Sequence, residues 1–250
     1  MGYRETHGSI IQFIQINSNM KKVAIFDIDG TIFRSSLLIE ITEALITEGI
    51  FKVSAKSYYA KQYQNWLDRK GSYEKYIDGV VRAFEANIKG TKYKDFLKIS
   101  KKVIAVKRNH TYQYTRDLVK KLKKKNYFLM AISNSPKAIV DDFCKELGFD
   151  KAYGRMYEID EKGIFTGKIM YKEMISDKAK VLQRAIDKEN LTIAGSIAVG
   201  DTESDIPMFK KVEKPVCFNP NRSLYIVAKK RGWKIVVERK DMFYEINPGK

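Results

Sequence analysis

The stretch VAIFDIDGTIF, residues 23–33, runs a string of apolar residues into two carboxylates, Asp27 and Asp29. Side chains two apart in an extended segment point the same way. The two acids therefore converge at the carboxyl end of a strand, where open α/β sheets bind ligands. Like charges ~4 Å apart repel by about 4 kcal/mol at an effective dielectric near 20. A divalent cation offsets that cost, and so does a proton on one carboxyl group. Either solution makes a reactive site, in which one carboxylate attacks phosphorus and the other shuttles a proton. A calcium loop does not fit. Counted from Asp27, the fifth and twelfth ligand positions fall on Thr31 and Leu38.

Three later stretches have matching chemistry. LMAISNSP (129–136) is a second apolar run, ending in Ser133, Asn134 and Ser135. A hydroxyl and free backbone N–H groups there suit phosphate oxygens, while an ordinary polar turn ahead of a helix is the plainer reading. ISDKAKVLQRAI (175–186) puts Lys178 in the first turn of a helix, with Ser176 or Asp177 as its cap. A lysine is unfavourable at a helix amino end, and a bound phosphate would compensate it. SIAVGDTESDIPMF (196–209) is a third apolar run, ending in Asp201 and Asp205. Asp201 is placed to complete a magnesium site, and Asp205 to hold metal-bound water or orient the lysine.

The elements that must position these groups follow from periodicity. Short β-branched runs recur at Val23–Phe26, Tyr127–Ile132, Ile197–Val199, Val216–Phe218 and Ile235–Val237, mostly with helix-like segments between. That alternation predicts an α/β fold, a parallel sheet covered on both faces. Residues 155–169 instead read as a hairpin, with Glu161–Lys162–Gly163 at its turn. From Leu37 to Arg108 the spacing is helical, as at Leu37, Leu38, Ile41 and Leu45 and again at Tyr76, Val80, Phe84 and Ile88. Gly49, Gly71 and Gly90 divide that segment into helix-sized pieces.

DIDGT, SNS, Lys178 and GDTESD follow the order and approximate spacing of the four motifs of haloacid dehalogenase (HAD) superfamily phosphatases. From Lys21 to Val237 the chain resembles the phosphoserine-phosphatase-like branch, including EIDEKGIFTGKI and the tail FNPNRSLYIVAKKRGWKIV. The resemblance implies a Rossmann-like HAD core over 20–36 and 109–250 and an inserted helical cap over 37–108, with 1–19 as an extension. It implies Asp27 as the nucleophile that becomes an aspartyl-phosphate. Asp29 would protonate the leaving oxygen and then activate water. Ser133, Asn134 and Lys178 would hold the phosphoryl group. Mg²⁺ would sit on the Asp27 and Asp201 carboxylates and the Asp29 carbonyl, supported by Asp205. Where phosphoserine phosphatases carry a glutamate that binds the amino acid portion of their substrate, this chain has Ser36, and their glycine pair after the motif II serine is replaced by Asn134 and Ser135. Phosphoserine is therefore a poor expectation.

With 250 residues, 44% of them hydrophobic, the chain can form one large domain or a core domain carrying a smaller insert. No apolar run approaches the roughly 20 residues of a membrane span. Cys144 and Cys217 both sit in apolar contexts, which fits a reduced, cytoplasmic compartment. MGYRET matches a myristoylation pattern on paper, which we read as coincidence, and Met20 reads as a natural start. The net charge of +17 comes mostly from lysines spread along the chain, as in KKLKKKN (120–126). That spread favours solvated faces and attraction of an anionic substrate over a nucleic-acid partner. The expected function is a magnesium-dependent phosphomonoesterase acting on a small phosphorylated metabolite. A phosphotransferase or phosphomutase would share every motif, and a basic nucleic-acid-binding protein on this fold is the third reading. The connections at Phe33 and Asn109 are expected hinges of the cap, and Tyr59, Trp66, Arg69 and Arg82 are candidates to line its cleft.

Overall fold

The computed structural model describes residues 20–246. The extension 1–19, with its myristoylation-like start, lies outside them. Strand β1 (Lys21–Phe26) is buried along Val23–Phe26, with no polar alternation. Such a run belongs in the middle of a sheet covered on both faces. Its neighbours are β2 (Phe128–Pro136) and β5 (Leu191–Gly200), both parallel to it. The remaining strands are β3 (Lys151–Ile159), β4 (Phe165–Met170), β6 (Lys214–Phe218), β7 (Lys234–Arg239) and β8 (Met242–Ile246). The eight lie in the order β4-β3-β2-β1-β5-β6-β7-β8, antiparallel only at the two outer pairs, β3–β4 and β7–β8.

Alternate residues of one strand feed opposite faces. Ala24 and Phe26 join an apolar cluster with α1 (Leu37–Thr47), α3 (Tyr73–Ile88), α4 (Tyr93–Lys107), α5 (Gln113–Lys124) and α6 (Lys137–Leu147). Val23 and Ile25 join the other cluster, under α8 (Lys178–Glu189), α9 (Ile206–Phe209) and α10 (Arg222–Arg231). The short helices α2 (Ala60–Leu67) and α7 (Lys172–Ile175) complete the set.

Helices α1 to α4 lie between β1 and β2, in the segment read as helical from spacing. Ser36 caps α1 by accepting from the Leu38 N–H, and Ser72 caps α3 by accepting from Lys75. The two connections run side by side: Arg34 N–H donates to the His110 carbonyl and Tyr112 N–H to the Ile32 carbonyl, each at 2.9 Å. A third tether joins the α3–α4 turn to the β3–β4 hairpin. There Gly90 donates to the Phe165 carbonyl, Phe165 to Thr91 and Tyr93 to Gly163. The hairpin turn is held by Asp160, whose Oδ1 accepts from the N–H groups of Lys162 and Ile164.

Candidate active site

Four chain segments meet at the carboxyl ends of β1, β2 and β5. Asp27 continues β1 by one step, its N–H donating to the Val199 carbonyl at 2.9 Å. Its carboxylate is almost wholly buried, and Oδ1 accepts from Lys178 Nζ at 2.6 Å. Lys178 is the first residue of α8, which Asp177 caps by accepting from Ala179 and Lys180. A buried cation at a helix amino end is doubly unfavourable. Two carboxylates offset it, because Asp205 Oδ1 also accepts from Lys178 Nζ, at 2.5 Å. Their charges hold the Lys178 ammonium well above the usual lysine range despite its burial.

Asp205 is fully enclosed, and its second oxygen accepts from the N–H groups of Asp201 (3.0 Å) and Thr202 (3.1 Å). It thus fixes both the lysine and the loop that carries Asp201. Gly200 is required there, since a Cβ would come within 2.3 Å of the Asp205 carboxyl group. Gly30 is required for a second reason: φ is +80°, and a Cβ would lie 2.2 Å from Asp201 Oδ2. Thr31 Oγ1 donates to Asp201 Oδ1 at 3.3 Å.

Asp29 faces the other wall. Its Oδ1 accepts from Leu37 N–H at the amino end of α1 (2.6 Å), and its Oδ2 accepts from Ser133 Oγ (2.6 Å) and Ser135 Oγ (2.8 Å). Ser135 also accepts from Leu38 N–H at 3.1 Å, which ties the end of β2 to the start of α1.

The charges do not balance. Burial pushes the Asp27 carboxyl up to about 7, against the pull of Lys178, with Asp205 and Asp29 raising it further. Asp201 is raised well above the carboxylate range by burial and then by Asp27 and Asp205. Oxygens of Asp27, Asp201 and Asp205 lie within 4.8 Å of one another. Such a group of hard oxygen donors, short of positive charge, suits a divalent cation. Asp27 and Asp201 each keep one carboxylate oxygen without a hydrogen-bond partner among the described residues, while both oxygens of Asp205 are engaged.

A model of the haloacid dehalogenase-like hydrolase family matches residues 24–210, from β1 through Asp27 and Lys178 to Asp205. The chain belongs to that family. A curated HAD relative is the phosphoserine phosphatase of Methanocaldococcus jannaschii, 26% identical over 201 residues, covering 79% of this chain and 85% of that protein. Also similar is the inhibition of morphological differentiation protein of Streptomyces azureus, 28% identical over 108 residues. That match covers 43% of this chain and only 39% of the relative. A solved phosphoserine phosphatase, determined as a phospho-aspartyl intermediate analogue, superposes with a TM-score of 0.58 at 22% identity. It covers 89% of this chain and 96% of that one, and shares the α/β HAD fold.

Of the residues singled out in the sequence of this HAD hydrolase, Asp27, Asp29, Ser133, Lys178, Asp201 and Asp205 stand together. Asn134 does not join their hydrogen-bond network: its residue is exposed, between the buried Ser133 and Ser135. Tyr59 is buried and donates to Glu43 Oε1, whereas Arg69 lies on the surface. Three contributors had no assigned role. Thr31 follows Gly30 in the DIDGT run, and Ser135 is two residues beyond Ser133 in an extended segment, so its hydroxyl faces the same way. Tyr73, at the start of α3, could not be read from sequence at all. Burial raises its phenol, and the charges of Asp29 and Asp201 raise it further. Among the described residues no helix is long and apolar enough to cross a membrane.

Proposed function

We propose that the chain is a magnesium-dependent phosphomonoesterase that hydrolyses a small phosphorylated metabolite through an aspartyl-phosphate on Asp27. The observation that carries this reading is the buried Lys178 ammonium on the Asp27 carboxylate, 2.6 Å away. A nucleophilic anion and a phosphate dianion can meet only where positive charge is already in place. Asp27 and Asp201 would hold Mg²⁺ through their free oxygens, with the Asp29 carbonyl as the resemblance implies. The ion, when bound, neutralises charge on the phosphoryl group and the attacking carboxylate.

The chain's own groups carry the steps. Asp27 attacks phosphorus, and the bond to the ester oxygen breaks. Asp29 delivers a proton to that oxygen, then takes one from the water that attacks the aspartyl-phosphate. Ser133 and Ser135 suit such a proton exchange, because a hydroxyl both donates and accepts and can turn as Asp29 gains or loses its proton. Lys178 steadies the negative charge throughout. In this reading residues 37–108 cap the site, and 20–36 with 109–250 form the core.

The relative named phosphoserine phosphatase supports phosphate-ester chemistry. Phosphoserine itself is disfavoured. Ser36 stands where that branch carries its glutamate, and its hydroxyl is buried and committed to the α1 cap. The test is a panel of phosphorylated metabolites assayed for phosphate release with Mg²⁺ and with excess chelator. Release that chelator removes and Mg²⁺ restores is expected. Full activity in excess chelator contradicts the reading.

A further inference from the structure

Ser135 is 2% exposed and lies where the register of β2 against β3 shifts, between Ile132 and Pro136. A buried hydroxyl needs partners, and Ser135 Oγ has two. It accepts from Leu38 N–H at 3.1 Å and donates to Asp29 Oδ2 at 2.8 Å. A backbone N–H can only donate, and a serine hydroxyl has a single proton. With Leu38 on its acceptor side, Ser135 directs that proton at Asp29. Ser133 is arranged alike. Its Oγ accepts from Ser135 N–H at 2.9 Å and donates to the same carboxylate oxygen at 2.6 Å.

The other oxygen of Asp29, Oδ1, accepts from Leu37 N–H at 2.6 Å. Leu37 and Leu38 open α1, and the first N–H groups of a helix have no partner inside it. The carboxylate is thus held against rotation, one oxygen on the start of α1 and the other on the end of β2. The two jobs of Ser135 are not equally exclusive. Ser36 Oγ also accepts from Leu38 N–H, at 3.2 Å, so that donor keeps a partner when the Ser135 hydroxyl is removed. What the removal takes away is one of the two donors on Asp29 Oδ2.

We infer that Ser135 is a positioning residue for Asp29, holding its carboxyl group in the orientation that delivers a proton to the leaving oxygen. The inference rests on the phosphomonoesterase reading with Asp29 as its acid. Ser135 acts through Asp29 and not on the substrate. The reaction therefore depends on Ser135 to the degree that the leaving oxygen needs the proton. In phosphoryl transfer through a loose transition state, that oxygen gathers much of the charge. A 4-nitrophenolate bears the charge unaided, whereas a benzyl alkoxide must be protonated.

The test compares p-nitrophenyl phosphate and benzyl phosphate, esters of similar shape, by kcat/KM, which reports the steps through ester cleavage. A hydrogen bond to a charged group is worth about tenfold. Ser135→Ala and Ser135→Gly should each lower kcat/KM for benzyl phosphate about tenfold more than for p-nitrophenyl phosphate. Thermal unfolding of Ser135→Ala should move by less than about 4 °C, because Ser36 still caps Leu38. A structural role alone would lower both esters alike. Equal losses for the two esters, or no loss for either, overturn the inference and leave the phosphomonoesterase reading standing. If the wild type with Mg²⁺ releases phosphate from neither ester nor from any other phosphorylated compound tried, that reading falls and the inference falls with it.

Discussion

Asp27 and Asp29 are two residues apart and are treated differently by their surroundings. Asp29 is met by three donors: Leu37 N–H, Ser133 and Ser135. Asp27 has one, Lys178, and otherwise faces burial and other acids. In the proposed mechanism that difference separates a carboxylate held for proton transfer from one left under electrostatic stress, ready to attack. It also has a pH signature. A carboxyl raised above its unfolded value stabilises the fold in its protonated form. The Asp27 contribution is complete below the unfolded value near 3.8 and is lost as pH rises through about 7. Mg²⁺ competes with that proton, so its stabilisation grows with pH. We predict that saturating Mg²⁺ raises Tm more at about pH 8 than at about pH 5, as read by thermal unfolding against a chelated control. An Mg²⁺ shift independent of pH would contradict the assignment of the raised Asp27 to the ion site. The acids and Lys178 were legible because each ends an apolar run or opens a helix, where a charge has no packing reason to be. Tyr73 was not, because nothing local distinguishes it from Tyr76, which is core.

At the scale of elements, the apolar runs located the middle of the sheet but misjudged its edges. The reading Ile197–Val199 caught only the end of β5, which begins at Leu191. Ala194–Gly195–Ser196 interrupts the apolar run, Gly195 has φ +74°, and the register against β1 shifts there. Strand β8 went unread because four of its five residues are exposed, so it carries no buried face to give a period. The insert was legible as helices but not in its attachment. It shares one apolar cluster with the sheet, and Arg155 of β3 pairs with Glu85 of α3 at 2.8 Å. Phe84 is central to that attachment, fully buried and in ring contact with Phe51, Phe96 and Tyr157. Phe84→Ala should therefore cost about 3–5 kcal/mol in urea unfolding, with the insert and sheet melting together. A cost below about 1 kcal/mol, or a separate early transition of the insert, would show that the helices stand apart from the core. A hinge motion at the expected connections, Phe33 and Asn109, would then not move the insert alone. Opening must carry the hairpin along or break its hydrogen bonds to the α3–α4 turn.

Over the whole molecule, part of the net charge of +17 sits at the carboxyl ends of helices. The last turns of α5 (Lys121, Lys123, Lys124) and α10 (Lys229, Lys230, Arg231) are basic, as are Lys145 in α6 and Lys188 in α8. Cations there complement the helix dipoles. In this fold those helix ends lie at the amino edge of the parallel strands, opposite Asp27, Asp201 and Asp205. The lysine-rich tract therefore has a local explanation that needs no polyanionic partner, while Lys178, the one buried lysine among the described residues, has a chemical one in the proposed mechanism. The central claim is that the fold gathers four segments so that Asp27 accepts a phosphoryl group. The direct measurement is to mix the protein with Mg²⁺ and p-nitrophenyl phosphate, quench in acid during turnover, and reduce with borohydride, which turns an acyl phosphate into an alcohol. Mass spectrometry of the tryptic peptide 23–34, VAIFDIDGTIFR, then locates the change. The account predicts homoserine at position 27, Asp29 intact, and no change when substrate is omitted. Modification at Asp29 or Ser133, or continued turnover with residue 27 never modified, would contradict it.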